Sequence, residues 1–297
     1  MNIKTIRIVK CSGQDREGLL PLRIAQLEAN GFRVLFDDMY SDPSWPYCAA
    51  TVSQRLTALT QALLEPESDA ILWARGGYGA SELLADIPWS VVKQAKNKPI
   101  IGFSDVCAAQ SALYVMTGRP SIHGPMPASG LWSKNSADDV ETLIQILKGT
   151  IVRGGFPISS MQKFDLIEGT VFGGCLSVLT SLIGTPYLPK SFKNFILLFE
   201  DVSENPGRVI RMLNQWKQSG AFAGVKAIVL GSFTDLGQNL PDNAPMLIEE
   251  IARRFDIPLF FNAPFGHVSP NFPFIVGSLG RIEKGEFKWS LESNQLC

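Results

Sequence analysis

Apolar residues alternate with polar ones at the start of the chain, where Ile3, Ile6, Ile8 and Val9 are interrupted by Lys4, Thr5 and Arg7. That spacing predicts a first strand over 3–9. Ser12-Gly13 marks a turn, a helical repeat runs over 17–30, and Gly31 closes it as a C-terminal glycine does. The apolar run 32–36 then predicts a second buried strand. The unit recurs: helix over 49–64, strand over 70–74, helical turn over 80–84, strand over 99–103. Strands alternating with helices imply a parallel sheet covered by helices. Ligands meet such sheets at loops beyond the C-terminal ends of the strands. Residues 75–79 and 104–105 are therefore expected side by side at a functional edge.

Ser136, followed by Ala137-Asp138-Asp139, reads as the N-cap and acidic first turn of a helix ending near Lys148-Gly149. Residues 150–163 carry Gly154, Gly155 and Pro157 without a sustained period. They read as linker, which divides the chain into domains at 1–150 and 165–297 joined by 151–164. The second half predicts a glycine turn at Gly173-Gly174 with a helix to 183, a strand over 195–199 and a helix over 208–218. A strand over 227–230, a helix over 246–255 and short strands at 259–261, 275–276 and 287–291 follow. The expected fold is α/β: an N-terminal parallel-sheet domain flanked by helices, with a smaller C-terminal mixed α/β domain.

The bulk composition narrows the function classes. With 297 residues, 45% hydrophobic and 19% charged, the chain can bury two cores and is too apolar to stay disordered. Lys plus Arg number 27 against 28 Asp plus Glu, so no broad positive field is available for a phosphate backbone, and nucleic acid is excluded as a partner. The five cysteines, Cys11, Cys48, Cys107, Cys175 and Cys297, are scattered and form no C-x-x-C pair, as expected of free thiols in a reducing compartment. Lys4, Arg7 and Lys10 interrupt the N-terminal apolar residues, which argues against a signal peptide. No segment approaches the roughly 18 apolar residues of a membrane span. A cytoplasmic protein with no membrane partner is expected.

Candidate chemistry concentrates in four segments. In Ile100-Ile101-Gly102-Phe103-Ser104-Asp105, an apolar strand ends in a serine before a helical stretch, the shape of a nucleophile elbow, although Val106 stands where a second glycine would be. On these residues alone Ser104 reads equally as nucleophile or as helix cap. The chain has only two histidines. His267 lies in a Pro- and Gly-rich loop that can hold a side chain at a cleft, and is favoured as base; His123 follows a short strand and also competes for the site. The third group should be a carboxylate at the end of a buried strand. Glu200 fits after Phe195-Ile196-Leu197-Leu198-Phe199, with Asp201 and Glu204 close behind it and only weakly separated from it. Finally, Arg75-Gly76-Gly77-Tyr78-Gly79 ends another strand with glycines that allow close backbone approach and present amides. Arg75 reads either as a clamp for a substrate carboxylate or as a surface charge.

Arg75-Gly76-Gly77-Tyr78-Gly79, Pro99 to Asp105, Gly173-Gly174, Glu200-Asp201-Val202-Ser203-Glu204, and Gly266-His267 with Pro270 together resemble the LD-carboxypeptidase family, which includes the microcin C immunity peptidases. The motifs match in order and spacing over nearly the whole chain. The resemblance implies a Ser104-His267-Glu200 triad and an oxyanion hole from the amides near Gly77 and Asp105. It also implies substrate contacts at Arg75, Gly76 and Tyr78, a homodimer, and hydrolysis without metal or organic cofactor. The implied substrate is a small peptide, a peptidoglycan-derived muropeptide that loses terminal D-alanine, or alternatively a peptidyl or aminoacyl nucleotide amide. A non-catalytic ligand-binding module and an esterase are the rival readings. Cys107, Cys175, Gly207 and Ile210 depart from the family pattern, and are expected on the cleft wall, where they bear on substrate more than on reaction.

Overall fold

The computed structural model describes residues 2–38, 46–132, 137–237 and 239–291. Its first half alternates strands and helices: β1 (Thr5–Val9), α1 (Leu20–Ala29), β2 (Arg33–Phe36), α2 (Val52–Leu64), β3 (Ala70–Trp73), the short α3 (Trp89–Val92), β4 (Ile100–Gly102), α4 (Cys107–Thr117), β5 (Ser121–His123) and α5 (Ala137–Lys148). Strands β1 to β5 pair in parallel. β3 and β4 are buried at every position, because helices cover both faces of the sheet and leave no solvated side for polar residues. The local signals agree with these elements. Thr51 and Gln54 form a reciprocal capping box at the start of α2, and Gly118, at φ +76°, ends α4 in the left-handed conformation.

The second half builds a seven-stranded sheet. Its strands are β6 (Arg153–Pro157), β7 (Ile167–Cys175), β8 (Phe195–Val202), β9 (Ala227–Thr234), β10 (Leu259–Phe260), β12 (Leu279–Glu283) and β13 (Glu286–Ser290), with α6 (Leu176–Ser181), α7 (Pro206–Gln218) and α8 (Pro245–Arg254) between them. The order is β10-β9-β8-β7-β12-β13-β6; the first four pair in parallel and the others antiparallel. The remaining strand, β11 (Phe274–Val276), leaves this half and joins the first sheet antiparallel to β5, with Phe274 opposite His123. The resulting six-stranded order is β11-β5-β4-β3-β1-β2.

Three local readings differ from the structure. Residues 153–157, inside the stretch read as linker, form the edge strand β6. A Cβ on Gly154 would stand 2.6 Å from the Trp289 ring and one on Gly155 2.2 Å from the Phe287 carbonyl, so these glycines permit close strand packing where a break was expected. Gly173 and Gly174 likewise lie within β7, which the sequence reading placed as a turn, and β12 escaped notice because its polar residues alternate at an exposed surface. Ser136 and Cys297 lie outside the described residues. No described helix is long and apolar enough to cross a membrane.

Gly173 shows how tightly the second sheet is drawn together: a Cβ there would sit 1.9 Å from the Leu198 carbonyl oxygen on β8. Gly173→Ala is expected to destabilise the protein by about 3 kcal/mol through forced strand separation, read as a lowered urea midpoint.

Candidate active site

Strand β4 ends at Gly102 and delivers Ser104 in a left-handed conformation at φ +65°, which is strained for a residue with a side chain. A 3₁₀ turn over Ser104–Val106 leads from it into α4. The Asp105 amide thus belongs to a first helical turn, where backbone N–H groups lack intrahelical acceptors. The loop after β10 brings His267 over this turn, with Nε2 3.0 Å from Ser104 Oγ. On the other side of the ring, Nδ1 is 2.7 Å from Oε2 of Glu200, which lies on β8 and is fully buried. Gly266, at φ +114°, lets the loop pass: a Cβ there would approach Glu200 Oε2 to 2.8 Å. The Gly266 amide donates to Asn271 Oδ1 at 2.9 Å, and the Asn271 amide donates to Asp139 of α5 at 2.7 Å. Phe103 packs edge-on against the His267 ring, with centroids 5.0 Å apart.

The electrostatics follow from burial and pairing. Burial alone would push the Glu200 carboxyl up, but the charge and hydrogen bond of His267 hold it well below the ordinary carboxylate value. Burial pulls the His267 imidazole down, and the charge and hydrogen bond of Glu200 outweigh this, leaving it above its ordinary value. Neither of the competing acids takes Glu200's place. Asp201 accepts from the Ser177 amide at 2.7 Å and Ser177 Oγ at 3.1 Å, and burial followed by the charge of Glu200 pushes it up to about 6. Glu204 pairs with Arg208 at 2.7 Å.

The glycine loop after β3 lies against the serine. A Cβ on Gly76 would stand 2.9 Å from Ser104 Cβ, and the Gly76 carbonyl accepts from Gly13 at 3.0 Å. Gly77 and Gly79 adopt φ +128° and +113°. Tyr78 is exposed, and Arg75 is half-buried with a 3.4 Å contact to the Gln14 carbonyl. The Asp105 carboxylate points inward: it accepts from Ser12 Oγ at 2.5 Å and from the Ala80 amide at 2.8 Å, tying the glycine loop to the serine turn. Trp73 Nε1 in turn donates to Ser12 Oγ at 2.9 Å.

Beneath the loop, buried Arg55 donates to the carbonyls of Ala50, Cys11 and Gly79 and pairs with Glu82 at 2.6 Å. Sequence reading missed Arg55, although a cation on the apolar face of α2 was a usable signal. It also missed Ser12, Asp139 and Asn271. Cys107 and Cys175, expected on the cleft wall, are instead buried: the Cys175 amide donates to Cys107 Sγ at 3.3 Å. Close packing of α4 on the end of β7 accounts for this placement, since a Cβ on Gly174 would come 2.3 Å from the Cys107 sulfur. Gly207 is exposed and Ile210 half-buried on α7.

Residues 6–124 match the family model described as the LD-carboxypeptidase N-terminal domain, and residues 168–282 match that of the LD-carboxypeptidase C-terminal domain. The chain is 31% identical over 280 residues to a murein tetrapeptide carboxypeptidase of Pseudomonas aeruginosa, covering 91% of this chain and 90% of that one. The crystal structure of muramoyltetrapeptide carboxypeptidase from Oxalobacter formigenes superposes with a TM-score of 0.82 at 27% identity, covering 96% of this chain and 98% of that one. MccF in complex with glutamyl sulfamoyl guanosine superposes with a TM-score of 0.84 at 20% identity, covering 97% and 96%, a likeness of fold.

Because two buried donors converge on the Asp105 carboxylate, Asp105→Ala leaves both unpaired. It is expected to lower stability by about 1–3 kcal/mol, measured by chemical denaturation.

Proposed function

This chain belongs to the LD-carboxypeptidase family, and from that premise we propose that it is a serine-type LD-carboxypeptidase that removes terminal D-alanine from peptidoglycan-derived muropeptides. The observation that carries the reading is the unbroken relay from Ser104 Oγ through His267 to Glu200, at 3.0 Å and 2.7 Å. His267 Nε2 takes the hydroxyl proton as Ser104 attacks the scissile carbonyl, and Glu200 holds the ring through Nδ1–H and stabilises the imidazolium. The amides near Gly77 and Asp105 donate to the developing oxyanion. Collapse of the tetrahedral intermediate breaks the amide bond, and His267 returns its proton to the leaving amine. Water, activated by the same imidazole, then hydrolyses the Ser104 ester. Arg75, on the loop whose Gly76 abuts Ser104, supplies a guanidinium for the carboxylate of the departing D-amino acid.

Two outcomes test this reading. With an L,D-tetrapeptide, the protein should release free D-alanine, and Ser104→Ala should lower kcat by about 1,000-fold or more. An aminoacyl sulfamoyl adenylate run in parallel should survive; consumption of it, with the tetrapeptide intact, would transfer the reading to the nucleotide-amide class. The pH profile gives the second test. The base must be neutral to act, and its folded value is raised, so activity is lost as pH falls through a point above the ordinary histidine value of about 6.5. An acid limb in kcat/KM below that value would assign the titration to another group.

A further inference from the structure

Glu200 has two carboxylate oxygens, and the relay described above uses only Oε2. Oε1 is buried and has no hydrogen-bond partner among the described residues. Nε2 of His123, on β5 of the first sheet, lies 3.8 Å away. His123 is itself fully buried, and neither of its ring nitrogens has a hydrogen-bond partner among the described residues. Its ring stacks on Phe274 with centroids 4.4 Å apart, meets Phe265 edge-on, and packs near Phe103. An apolar cage of this kind fixes the plane of the ring and disfavours its charged form. Two orphaned polar atoms facing each other across less than 4 Å, both costly to leave unmade, are reconciled by a single N–H donated from the histidine to the carboxylate.

We propose that His123 is a positioning residue for the candidate triad, a neutral imidazole whose Nε2–H donates to Glu200 Oε1 and so keeps Oε2 on Nδ1 of His267. The proposal rests on the triad reading above. A small inward adjustment of either side chain closes the gap to hydrogen-bonding distance. The carboxylate is then held at both oxygens, one by each histidine, and cannot rotate away from the base. Burial lowers the tendency of His123 to protonate, which keeps the ring in the form with a single donor.

The other ionisable groups acting on this assembly are Asp201 beside Glu200 on β8, and the thiols of Cys107 on α4 and Cys175 at the end of β7. Burial drives both thiols far up, so they stay neutral. Asp201 contributes charge above about pH 6.

The chain has only two histidines, so the ring-nitrogen spectrum of the untagged, ¹⁵N-histidine-labelled protein contains two imidazoles. His123 should remain neutral with its proton on Nε2 across the range in which His267 titrates; a proton on Nδ1, or protonation of both nitrogens alongside His267, overturns the proposal. His123→Phe keeps the ring stack and removes the donor, whereas His123→Gln retains a donor. The phenylalanine variant should lose about tenfold or more in kcat with little change in KM. Its acid limb should move up by about half a pH unit, because the carboxylate charge then falls on His267 alone. The glutamine variant should recover most of both effects. Equal losses in the two variants with an unmoved acid limb would reduce His123 to packing. Ser104→Ala run alongside separates the levels: if it remains active the triad reading falls, and if it is inactive while His123→Phe is unimpaired only the role of His123 falls.

Discussion

A carboxylate with no exposed surface governs this molecule. Removing Glu200 from water costs several kcal/mol unless partners replace the lost hydration, and its partners come from distant parts of the chain. His267 arrives on the loop after β10, within the same half as β8, whereas His123 arrives on β5 from the other sheet. Ser104, which completes the relay, also belongs to that first sheet. One oxygen is therefore paired within the second half, whereas the serine hydroxyl and the His123 ring reach this carboxylate's surroundings only when the two sheets are docked, and docking is what assembles the candidate site. The strand β11 reinforces the union, since it leaves the second half to pair with β5 and places Phe274 against the His123 ring.

Close approach of backbones does the rest, and at two positions glycine is required for it. Gly76 brings the loop after β3 to the serine, where any Cβ would overlap the Ser104 side chain; Gly266 lets the histidine loop cross directly over Glu200. The strained φ of Ser104 is held by this crowding. The inward-facing Asp105 and the buried Arg55 fasten the loop after β3 from below through backbone groups, and Asn271 holds the Gly266 amide of the histidine loop. These are the supports that hold the Ser104 hydroxyl and the His267 ring at hydrogen-bonding distance.

Much of this was legible in the sequence, and the boundary between what was and was not is physical. Fully apolar runs such as Ala-Ile-Leu-Trp at 70–73 announce central parallel strands because both faces are covered. Ser104 stood out because a small polar residue ends such a run. β6 reads as linker because the glycines that let it pack against Trp289 look, in one dimension, like breaks. Glu200 and Asp201 are hard to separate for a related reason: neighbours on a strand face opposite ways, and which face meets His267 depends on where the loop after β10 returns to β8. The cross-chain supports, from Ser12 to Asp105 and from Asp139 to Asn271, join residues separated by 93 and 132 positions, a relation no local pattern records.

The two adjacent acids show what that facing decides. Glu200 and Asp201 are both buried, yet their environments push them in opposite directions. Glu200 meets imidazoles and is held anionic; Asp201 meets backbone and hydroxyl donors of Ser177 while sitting beside a negative charge, and is pushed up to about 6. A carboxyl whose folded value is raised binds its proton more tightly in the native state than in the unfolded one. Its ionisation therefore weakens the fold as pH rises through that value, whereas the depressed Glu200 stabilises the fold wherever its partners remain in place. One strand thus carries a charge the structure is built to keep and another it keeps at a cost. The difference arises from partners alone, because chain position and chemistry are nearly the same. This is the sense in which the second sheet supplies the site: it sorts two equivalent carboxylates by what each one faces.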